Sequence, residues 1–400
     1  MADYFQSDNI AEHARVCAML LHAYYVRDPR VMREAEALRD AGWCVTVICL
    51  NAGDEKDAED INGVRIIRCR MSRSRRRTRF RFILEYGSFM LRSLLRLWRE
   101  DSRKKYDVVI VHNMPNALVF STLPLRLRGC PVVLDMHDAA PEVFAGLFGL
   151  KSRLWNKFLL FEEKLAMKYA SALITVNRGV EVVFKERNPW ASFLLLHNSP
   201  SANHLPPRPS SQFHGEGEFK IVFHGHVHER NGVQTIISGI SALAAKGVKI
   251  ELDIYGDGPY RQRLEQMVQQ LALTDAVLFH GAFEPEELSK ALSEQHLGVA
   301  PHFRDILGDL LLPVKILEYT QAGIPVLCSR LTTVEAYFSD ECIYYFETDE
   351  ELVEQIVEIS QNYGSALARA DRARKVAESI SWESESAKLI DYVTALCDSR

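Results

Sequence analysis

The sequence predicts an α/β protein with two doubly wound, parallel-sheet domains of the Rossmann-like type. Two stretches, residues 14–53 and 219–258, have the same pattern: an apolar strand, a polar loop, an amphipathic helix ending at a Gly turn, and a second apolar strand. Apolar strands without alternation, separated by helices, are typical of a parallel sheet covered on both faces. A chain of 400 residues is too long for one ordinary core. We therefore expect two such domains facing a common cleft.

The boundary between the two domains is predicted from composition. Residues 199–218 read SPSANHLPPRPSSQFHGEGE, a run rich in Pro, Ser and Gly that is typical of a linker. The predicted organisation is an N-terminal domain over 1–200, a linker over 201–217 and a C-terminal domain over 218–379. Ligands of open parallel sheets bind outside the carboxyl ends of the strands, so the polar residues that follow the strands are the candidates for function.

The overall composition indicates a soluble globular protein, with 47% hydrophobic and 25% charged residues. The eight cysteines are scattered and lack the paired spacing of a zinc site or a disulfide framework, which favours a reducing cytoplasm. We expect no secretory signal and no membrane-spanning segment, because the chain has no basic start before an apolar run and no long uninterrupted apolar window.

Two loops of the C-terminal half are candidates for binding an anion. HGHVHERNG follows an apolar strand and contains Gly225, His226, Arg230 and Asn231 before a helix. Backbone N–H groups at a helix N-terminus attract anions, and Arg230 could bind two phosphate oxygens at once. Gly256 and Gly258, in GDGPY after the next strand, allow close approach of the backbone to a ligand. Each loop has an ordinary alternative, a capped helix with a surface arginine in the first case and a plain turn in the second.

The segment LLLPVKILEYTQAGIPVLCS, residues 310–329, places two charged residues in apolar surroundings. Lys315 and Glu318 are spaced i, i+3 near the start of a helix, and therefore lie on one face of it. A lysine there suits a phosphate, and a glutamate can accept the two hydroxyls of a ribose. The alternative is an intrahelical salt bridge, which the apolar neighbours disfavour because they leave little solvent-exposed face.

Polar residues also follow two strands of the N-terminal half. His112 ends DVVIVH, and PVVLDMHDAAPE ends with His137, Asp138 and Glu142. Histidine suits hydrogen bonding or proton transfer near neutral pH. A structural role for His137, with its ring bonded to the backbone, is the alternative.

The ordered set of motifs resembles family-four retaining glycosyltransferases, also called glycosyltransferase group 1, which have the GT-B fold. The matching segments include ERNG, IYGDGPYRQRLE, VLFHGAF, LGVAPHF and LPVKILEYTQAGIPVLCS in the second half, with LDMHDAAPEVF and LLLHNSP in the first. The resemblance covers nearly the whole chain. It also implies that the last helix, about residues 380–400, returns to complete the first domain.

The resemblance assigns roles position by position. Glu318 matches the second glutamate of the family's Glu-x7-Glu motif, which binds the donor ribose, whereas the first glutamate falls at Leu310. The chain thus looks like a subgroup written L-P-x-K-x-x-E-Y, in which Lys315 is the local cation. The family's usual phosphate-binding Arg and Lys fall at His226 and Asn231, so we expect Arg230 and Lys315 to hold the diphosphate, assisted by His226. His137 matches the histidine near the reacting sugar carbon. Gly281 and Leu311 join the implied donor site, and His112, Asp138 and Glu142 the acceptor side.

The implied reaction is transfer of a hexosyl sugar from a nucleotide diphosphate donor, and UDP is the commonest nucleotide in the family. The implied acceptor is a saccharide or a polyprenyl-diphosphate-linked saccharide. The implied pathway is cell-surface polysaccharide or lipopolysaccharide assembly. Retention at the anomeric carbon would follow from front-face attack, with the leaving phosphate as base. The resemblance implies no metal and no other cofactor. Two rival functions remain: a GT-B epimerase or hydrolase acting on a sugar nucleotide, and a catalytically silent scaffold for an active transferase.

A strongly basic segment lies in the first half. Residues 65–105 hold 15 Lys and Arg against three acids, including Arg75, Arg76 and Arg77 and a row formed by Arg92, Arg96 and Arg99 beside Trp98. Such a helix can lie on an anionic membrane, each basic residue contributing roughly 1 kcal/mol. We expect a cytoplasmic protein, peripheral on the inner face of the plasma membrane. The alternatives are a helix that buries Leu and Trp in the core and a nucleic-acid site, which lacks a recognisable module.

Overall fold

The computed structural model divides the chain into two compact units. Unit 1 comprises Met1–Leu196 and Ser386–Arg400, and unit 2 comprises His197–Glu385. The structure describes residues 14–53, 55–71, 79–148, 152–201, 213–215, 217–246 and 248–399. Most of the predicted linker, 201–217, lies outside these ranges.

Unit 1 contains an eight-stranded sheet with the order β3-β4-β2-β1-β5-β6-β7-β8. The strands are β1 (Val16–Leu20), β2 (Cys44–Leu50), β3 (Ala58–Ile61), β4 (Val64–Cys69), β5 (Val108–His112), β6 (Val132–Met136), β7 (Ala172–Thr175) and β8 (Phe193–Leu195). All neighbouring strands are parallel except β3, which runs antiparallel to β4. The central strands β1 and β5 are buried along their whole length, which explains why they are apolar without alternation.

Helices connect the strands of unit 1. They are α1 (Pro29–Asp40), α2 (Arg79–Arg103), α3 (Leu123–Leu127), α4 (Ala140–Phe148), α5 (Arg153–Tyr169) and α6 (Arg178–Arg187), with 3-10 turns at Tyr25–Arg27 and Asn116–Thr122. The start of α1 follows from its sequence, because Asp28 accepts a hydrogen bond from the backbone N–H of Val31 and Pro29 occupies the first turn.

Unit 2 contains a six-stranded parallel sheet with the order β11-β10-β9-β12-β13-β14. The strands are β9 (Phe219–His224), β10 (Ile250–Tyr255), β11 (Val277–Gly281), β12 (Leu297–Ala300), β13 (Val326–Ser329) and β14 (Tyr344–Phe346). The helices are α7 (Val233–Ala245), α8 (Arg261–Gln270), α9 (Pro285–Leu292), α10 (Val314–Ala322), α11 (Thr332–Glu335), α12 (Asp349–Gln361) and α13 (Tyr363–Ser379), with 3-10 turns at Glu229–Asn231 and Gly308–Leu310.

The last helix, α14 (Trp382–Asp398), begins in unit 2 and ends in unit 1. Its Leu389 and Val393 belong to the same buried cluster as β1 and β2 of unit 1. The hydroxyl of Tyr392 lies 3.4 Å from the carbonyl oxygen of Leu173, which it can donate to, and Asp398 forms an ion pair with Arg15. The core of unit 1 is therefore completed by a segment that follows all of unit 2.

Each sheet reverses its strand order at one point. In unit 1 the reversal lies between β1 and β5, and in unit 2 between β9 and β12. In open α/β sheets the crevice at such a switch point, outside the carboxyl ends of the strands, is where ligands bind. This places the loops after β9 and β12 at the expected ligand position of unit 2, and those after β1 and β5 at that of unit 1.

Candidate functional site

Three predicted glycines of unit 2 lie side by side at the carboxyl edge of the sheet. The backbone N–H of Gly225 donates to Tyr255 (2.9 Å), and that of Gly256 donates to Gly281 (2.6 Å). The φ angles of Gly225, Gly256 and Gly281 are 116°, 137° and 82°, a region that favours glycine. A Cβ on Gly256 would lie 1.9 Å from the carbonyl oxygen of Gly225. The two loops can therefore pack this closely only with glycine there.

Gly258, two residues after Gly256, also allows two loops to pack closely. A Cβ at this position would lie 2.2 Å from the carbonyl oxygen of Val227. The N–H of Val227 in turn donates to the carbonyl of Asp257 (2.9 Å). The GDG turn thus lies directly against the loop that carries Arg230.

Helix α10 is fixed against the sheet by Tyr319. Its buried hydroxyl accepts a hydrogen bond from the N–H of His224 (3.2 Å) and donates to the carbonyl of Val222 (3.3 Å). The tyrosine ring packs where Gly298 of β12 has no side chain, since a Cβ there would lie 2.4 Å from the ring. This contact places the first turn of α10 over the end of β9, at the switch point.

Lys315 is buried at this position, with 7% of its surface exposed. Its Nζ lies 4.0 Å from the centre of the Phe223 ring, a cation–π contact. A Cβ on Gly225 would lie 3.6 Å from the same Nζ, so the ammonium group adjoins the glycine loop. Burial lowers the pKa of Lys315 to about 7, although the carboxylate of Glu318 opposes the shift. A buried ammonium group that adjoins a glycine loop is suited to receive a polyanionic ligand.

Glu318 lies one turn after Lys315 and remains partly exposed. Its Oε2 is 3.2 Å from Nε2 of His224, the last residue of β9. Burial, together with the charge of Lys315, lowers the pKa of His224 to about 3, so this imidazole is neutral at physiological pH. The arrangement gives Glu318 a fixed position at the mouth of the site with carboxylate oxygens that a diol could reach.

Arg230 is paired with Asp305 in the loop after β12. Its Nη2 lies 2.9 and 3.1 Å from the two carboxylate oxygens of Asp305. Asp305 also accepts hydrogen bonds from the N–H groups of Leu307 and Gly308 (3.0 and 2.7 Å), which shapes the loop. Contact of Arg230 with a diphosphate therefore requires it to exchange or share this carboxylate.

The remaining predicted donor residues belong to the two loops that Arg230 and Asp305 join. The imidazole of His226 is exposed, while its carbonyl accepts a hydrogen bond from the side chain of Asn231 (2.5 Å). This hydrogen bond within the loop stabilises its conformation. Leu311, 44% exposed, follows the 3-10 turn that contains Leu310. The neighbouring Asp309 accepts hydrogen bonds at Oδ1 from the backbone N–H and the hydroxyl of Thr332, so the carboxylate of Asp309 is already engaged.

In unit 1, the side chain of Asn113 organises the turn that carries His137 and Asp138. Its oxygen lies 3.1 and 3.3 Å from the backbone N–H groups of His137 and Asp138. Its Nδ2 donates to the carbonyl of Asp138 (2.7 Å). His137 is mostly buried and Asp138 is exposed at the carboxyl edge of β6. The loops after β5 and β6 are thereby held together at the position where the sequence predicts a functional histidine.

His112 is fully buried behind this turn and therefore cannot contact a ligand directly. Asp135 Oδ2 lies 2.8 Å from His112 Nδ1 and 3.4 Å from His137 Nδ1, and Glu34 lies 4.0 Å from the other ring nitrogen of His112. Although burial alone would raise it, the hydrogen bonds from the two histidines hold the pKa of Asp135 well below its usual range. Burial beside Asp135 raises the pKa of Glu34 to about 7. Asp135 thus fixes the orientation of His137.

The same cluster has the composition of a metal site. Ligand atoms of His112, Asp135 and His137 lie within 4.8 Å of one another. Two imidazole nitrogens and a carboxylate oxygen are ligands that Zn²⁺ accepts. The separations of 2.8 and 3.4 Å are nevertheless those of hydrogen bonds between the side chains themselves.

Glu142 is engaged in an ion pair. Its carboxylate bonds to Arg187, whose other nitrogen donates to Glu163 (3.1 Å). Burial raises the pKa of Glu163 to about 7, with Arg187 opposing the shift. This network ties α4 to α5 and α6, and supports a structural role for Glu142.

Helix α2 carries the predicted basic row. Arg92 and Arg99 are exposed, Arg96 is half-buried, and Trp98 is 61% exposed. The alternative, a solvated helix that covers the first domain with Leu and Trp in the core, is therefore wrong for Trp98, although α2 does bury Phe89 and Leu97. Arg75, Arg76 and Arg77 lie outside the described residues. Among the helices that are described, none combines the length and apolarity needed to cross a bilayer.

Four residues of unit 2 that the sequence analysis did not single out adjoin the site: His224, His302, Asp305 and Tyr319. Burial and the charge of Lys315 hold the pKa of His302 well below its usual range. His224 and His302 end or follow a strand, as the predicted residues do, so the same signal could have found them. The contacts of Asp305 and Tyr319 join residues about 75 and 95 positions apart, which no local pattern reveals.

Two family models match the chain. The Glycosyl transferase 4-like domain matches residues 28–190, and Glycosyl transferases group 1 matches residues 218–362.

Relatives of known name are distant. Sulfoquinovosyl transferase SQD2 of Arabidopsis thaliana is 24% identical over 59% of this chain and 45% of its own length. Glycosyltransferase MJ1607 of Methanocaldococcus jannaschii is 24% identical over 74% of each chain. Alpha-monoglucosyldiacylglycerol synthase of Streptococcus pneumoniae is 23% identical over 34% of this chain and 30% of its own. The match thus spans less than half of two of these three proteins.

Solved structures share the architecture at low identity. Sucrose-phosphate synthase of Thermosynechococcus elongatus has a TM-score of 0.75 at 16% identity, covering 96% of this chain and all of the other. Alr3699/HepE of Anabaena, in complex with UDP and glucose, has a TM-score of 0.69 at 13% identity, covering 97% and 100%. WaaG, a glycosyltransferase involved in lipopolysaccharide biosynthesis, has a TM-score of 0.67 at 18% identity, covering 94% and 99%.

The predicted fold class, two parallel-sheet α/β domains of GT-B type, is confirmed by these neighbours together with the two sheets. With both halves matched by the family models, the chain belongs to the glycosyl transferases of group 1.

Proposed function

We propose that this protein is a retaining, metal-independent glycosyltransferase that uses a UDP-sugar, of hexosyl type, as donor. The observation that carries the proposal is the pair formed by Lys315 and Glu318, on one turn of α10 at the switch point of unit 2. A sugar nucleotide is both a polyanion and a diol, and this turn offers a buried cation beside a carboxylate. The Anabaena structure in complex with UDP and glucose supports a UDP-sugar donor.

Each part of the donor has a partner in this proposal. The diphosphate adjoins Lys315 and the loop of Gly225, with Arg230 available once it exchanges Asp305. Glu318 accepts hydrogen bonds from the ribose hydroxyls. Backbone N–H groups in the first turn of α7, which begins at Val233 after the Arg230 loop, add donors to the phosphate oxygens, as is common where a loop meets a helix N-terminus.

The bond between the anomeric carbon and the β-phosphate oxygen breaks as positive charge develops on the sugar ring. Lys315 and Arg230 stabilise the negative charge on the departing oxygen. The acceptor hydroxyl attacks from the same face and transfers its proton to the leaving diphosphate, which gives retention. The family resemblance assigns His137, oriented by Asp135, to the reacting sugar. This scheme needs no protein nucleophile.

Donor binding is expected to take up a proton near pH 8. Lys315, with a pKa of about 7, is mostly neutral there, and a bound diphosphate favours its charged form. Calorimetric titration of UDP in HEPES and in Tris should reveal close to one proton taken up, and the affinity should fall by up to about tenfold per pH unit above 7. GDP serves as the comparison nucleotide. If neither nucleotide binds, the proposed function fails; if UDP binds without proton uptake, the role of Lys315 fails.

For the acceptor we propose a saccharide or a polyprenyl-diphosphate-linked saccharide of cell-surface polysaccharide or lipopolysaccharide assembly. The names of WaaG and of the pneumococcal alpha-monoglucosyldiacylglycerol synthase support an acceptor at or in a membrane. The surface of α2 supports it as well, because exposed Leu91, Leu95 and Trp98 lie beside the exposed Arg92 and Arg99. An exposed apolar row next to a cationic row is typical of helices that lie in a membrane interface. We therefore propose a peripheral location on the cytoplasmic face.

The membrane proposal predicts co-flotation with vesicles that contain phosphatidylglycerol at low salt, and loss of binding at high salt. Trp98→Ser should weaken co-flotation several-fold. Trp190→Ser is the matched control, since Trp190 is also exposed in unit 1 (48%) but lies outside α2. Equal flotation of the two variants, or no flotation of the wild-type protein, would refute a membrane role for α2.

A further inference from the structure

An apolar cavity of about 220 Å³ lies within unit 1 between α2, α4 and α5. Its walls include residues from two helices: Tyr86, Gly87, Met90, Trp155, Phe158 and Leu159. Apolar cavities of roughly 150 Å³ stay dry and bind benzene, so this one has room for a hydrocarbon chain. It is distinct from the donor site, which lies in unit 2.

The charged group in the wall, the carboxylate of Glu162, is engaged. Glu162 is bonded through one carboxylate oxygen to the side chain of Asn116 (2.9 Å) and through the other to the N–H of Ala117. Trp155 packs its ring 5.4 Å from Phe158 in a stacked arrangement and 6.3 Å from Phe144. The cavity thus presents carbon atoms rather than hydrogen-bonding groups to an occupant.

The cavity begins next to the predicted acceptor residues. Ala140 in its wall is two positions after Asp138, and Met114 follows Asn113, whose side chain bonds Asp138. An occupant of the cavity would therefore have one end at the carboxyl edge of β5 and β6. That edge is where the sugar-accepting group is expected.

A second exposed apolar row lies on α5 and includes Phe158 of the cavity wall. On α5, Leu154, Phe158, Phe161 and Leu165 are 81%, 54%, 65% and 45% exposed, at spacings of four, three and four residues. This spacing puts them on one face of the helix. The exposed residues Lys157, Lys164 and Lys168 flank the row. Basic residues beside an apolar row suit an anionic lipid surface better than a second protein.

We infer that this cavity binds the hydrocarbon chain of a lipid-linked acceptor, with the exposed row of α5 guiding the chain from the bilayer. The inference rests on the proposed function and narrows it, because it selects a single-chain anionic lipid over a free saccharide. The apolar chain lies between α2 and α5, and the phosphate and the sugar lie at the Asp138 edge, where the cavity begins.

Gly87 allows a direct test. It lines the cavity from within α2, and a Cβ added there meets no heavy atom within 4 Å. Gly87→Leu therefore fills cavity space without a backbone clash, and Gly87→Ala is the matched control that leaves the space open. Both changes remove a helix-interior glycine and should preserve α2.

The probe is decyl phosphate below its micellar concentration, titrated calorimetrically, with inorganic phosphate as the chain-free control. We expect the wild-type protein and Gly87→Ala to bind decyl phosphate alike, Gly87→Leu to bind it at least about tenfold more weakly, and inorganic phosphate to bind weakly throughout. Flotation with phosphatidylglycerol vesicles should not decrease in Gly87→Leu, because adsorption uses the exposed rows.

Two results would overturn the inference: equal affinity of Gly87→Leu and wild type for decyl phosphate, or equal affinity of the wild type for decyl phosphate and inorganic phosphate. If Gly87→Leu lost vesicle flotation but kept its affinity for decyl phosphate, the inference would also be overturned, because the apolar surface would then bind the bilayer and not a single acceptor chain. A UDP titration of the same samples separates the two proposals. If UDP binds and decyl phosphate does not, only the cavity inference fails; if UDP does not bind, the proposed function fails.

Discussion

Replacing Lys315 by methionine is expected to lower kcat/KM for sugar transfer by about 100- to 1000-fold, the usual loss when one preorganised donor to a developing anion is removed. Lys315 is buried beside the glycine loop, so water cannot readily take the place of its ammonium group. Lys290→Met is the matched control, because Lys290 of α9 is exposed in the same unit. Steady-state rates with a UDP-sugar, over a range of donor concentrations, measure the loss.

The stability of the Lys315→Met variant distinguishes lost chemistry from a lost fold. Methionine removes a buried charge without emptying the space, so the free energy of unfolding at pH 6 should be equal or higher than in the wild type. The pKa of Lys315 is about 7 in the folded protein, and an unfolded lysine titrates near 10.4. The folded state then binds fewer protons between these values, so wild-type stability should rise relative to the variant as pH increases from 7 to 9. Urea unfolding at both pH values measures it; a variant unfolded at pH 6 would contradict a functional role confined to the ligand.

Glu318→Ala is expected to lower kcat/KM by about 100-fold or more, mainly through a higher KM for the donor. Hydrogen bonds to a charged group are each worth roughly 1.5–3 kcal/mol, and a ribose offers two. The carboxylate is partly exposed and has neutral His224 at 3.2 Å, and its removal lowers the pKa of Lys315 further, so Lys315 becomes neutral rather than a buried unpaired charge. The fold should therefore be retained.

A donor lacking the ribose 2′-hydroxyl tests the assignment of Glu318 independently of the overall loss. If the carboxylate binds the diol, the effect of Glu318→Ala must be smaller with the 2′-deoxy donor than with the natural donor, because the two changes remove the same interaction. Additive effects would show that Glu318 acts elsewhere. Near wild-type turnover of Glu318→Ala at low donor concentration would exclude the ribose assignment altogether.

Much of the fold follows from local patterns in the sequence. Long buried strands such as β1 and β5 must be apolar throughout, and the helices between them have clear starting signals, as at Asp28 and Pro29. The position of Lys315 and Glu318 on one helical face follows from their spacing alone. The return of the last helix was implied by the family resemblance rather than by any pattern in α14 itself.

The parts of the site that the sequence could not predict depend on contacts between distant segments. Gly225, Gly256 and Gly281 each suggest a turn, but only the folded chain brings them into one layer. The pairing of Arg230 with Asp305 links two loops across the switch point in the same way. The sequence could not predict which helix faces are exposed either. The periodic apolar residues of α5 have the spacing of a core-facing helix, yet Leu154 and Phe161 are exposed.

The completion of unit 1 by α14 has a consequence for biosynthesis. Because Leu389 and Val393 belong to the same core as β1 and β2, unit 1 lacks part of its interior until the ribosome has translated all of unit 2 and the helix that follows it. Unit 2 is a single continuous segment of the sequence, so it can complete its packing before α14 is available to unit 1. Unit 2 is thus expected to mature ahead of unit 1, even though most of it is synthesised second.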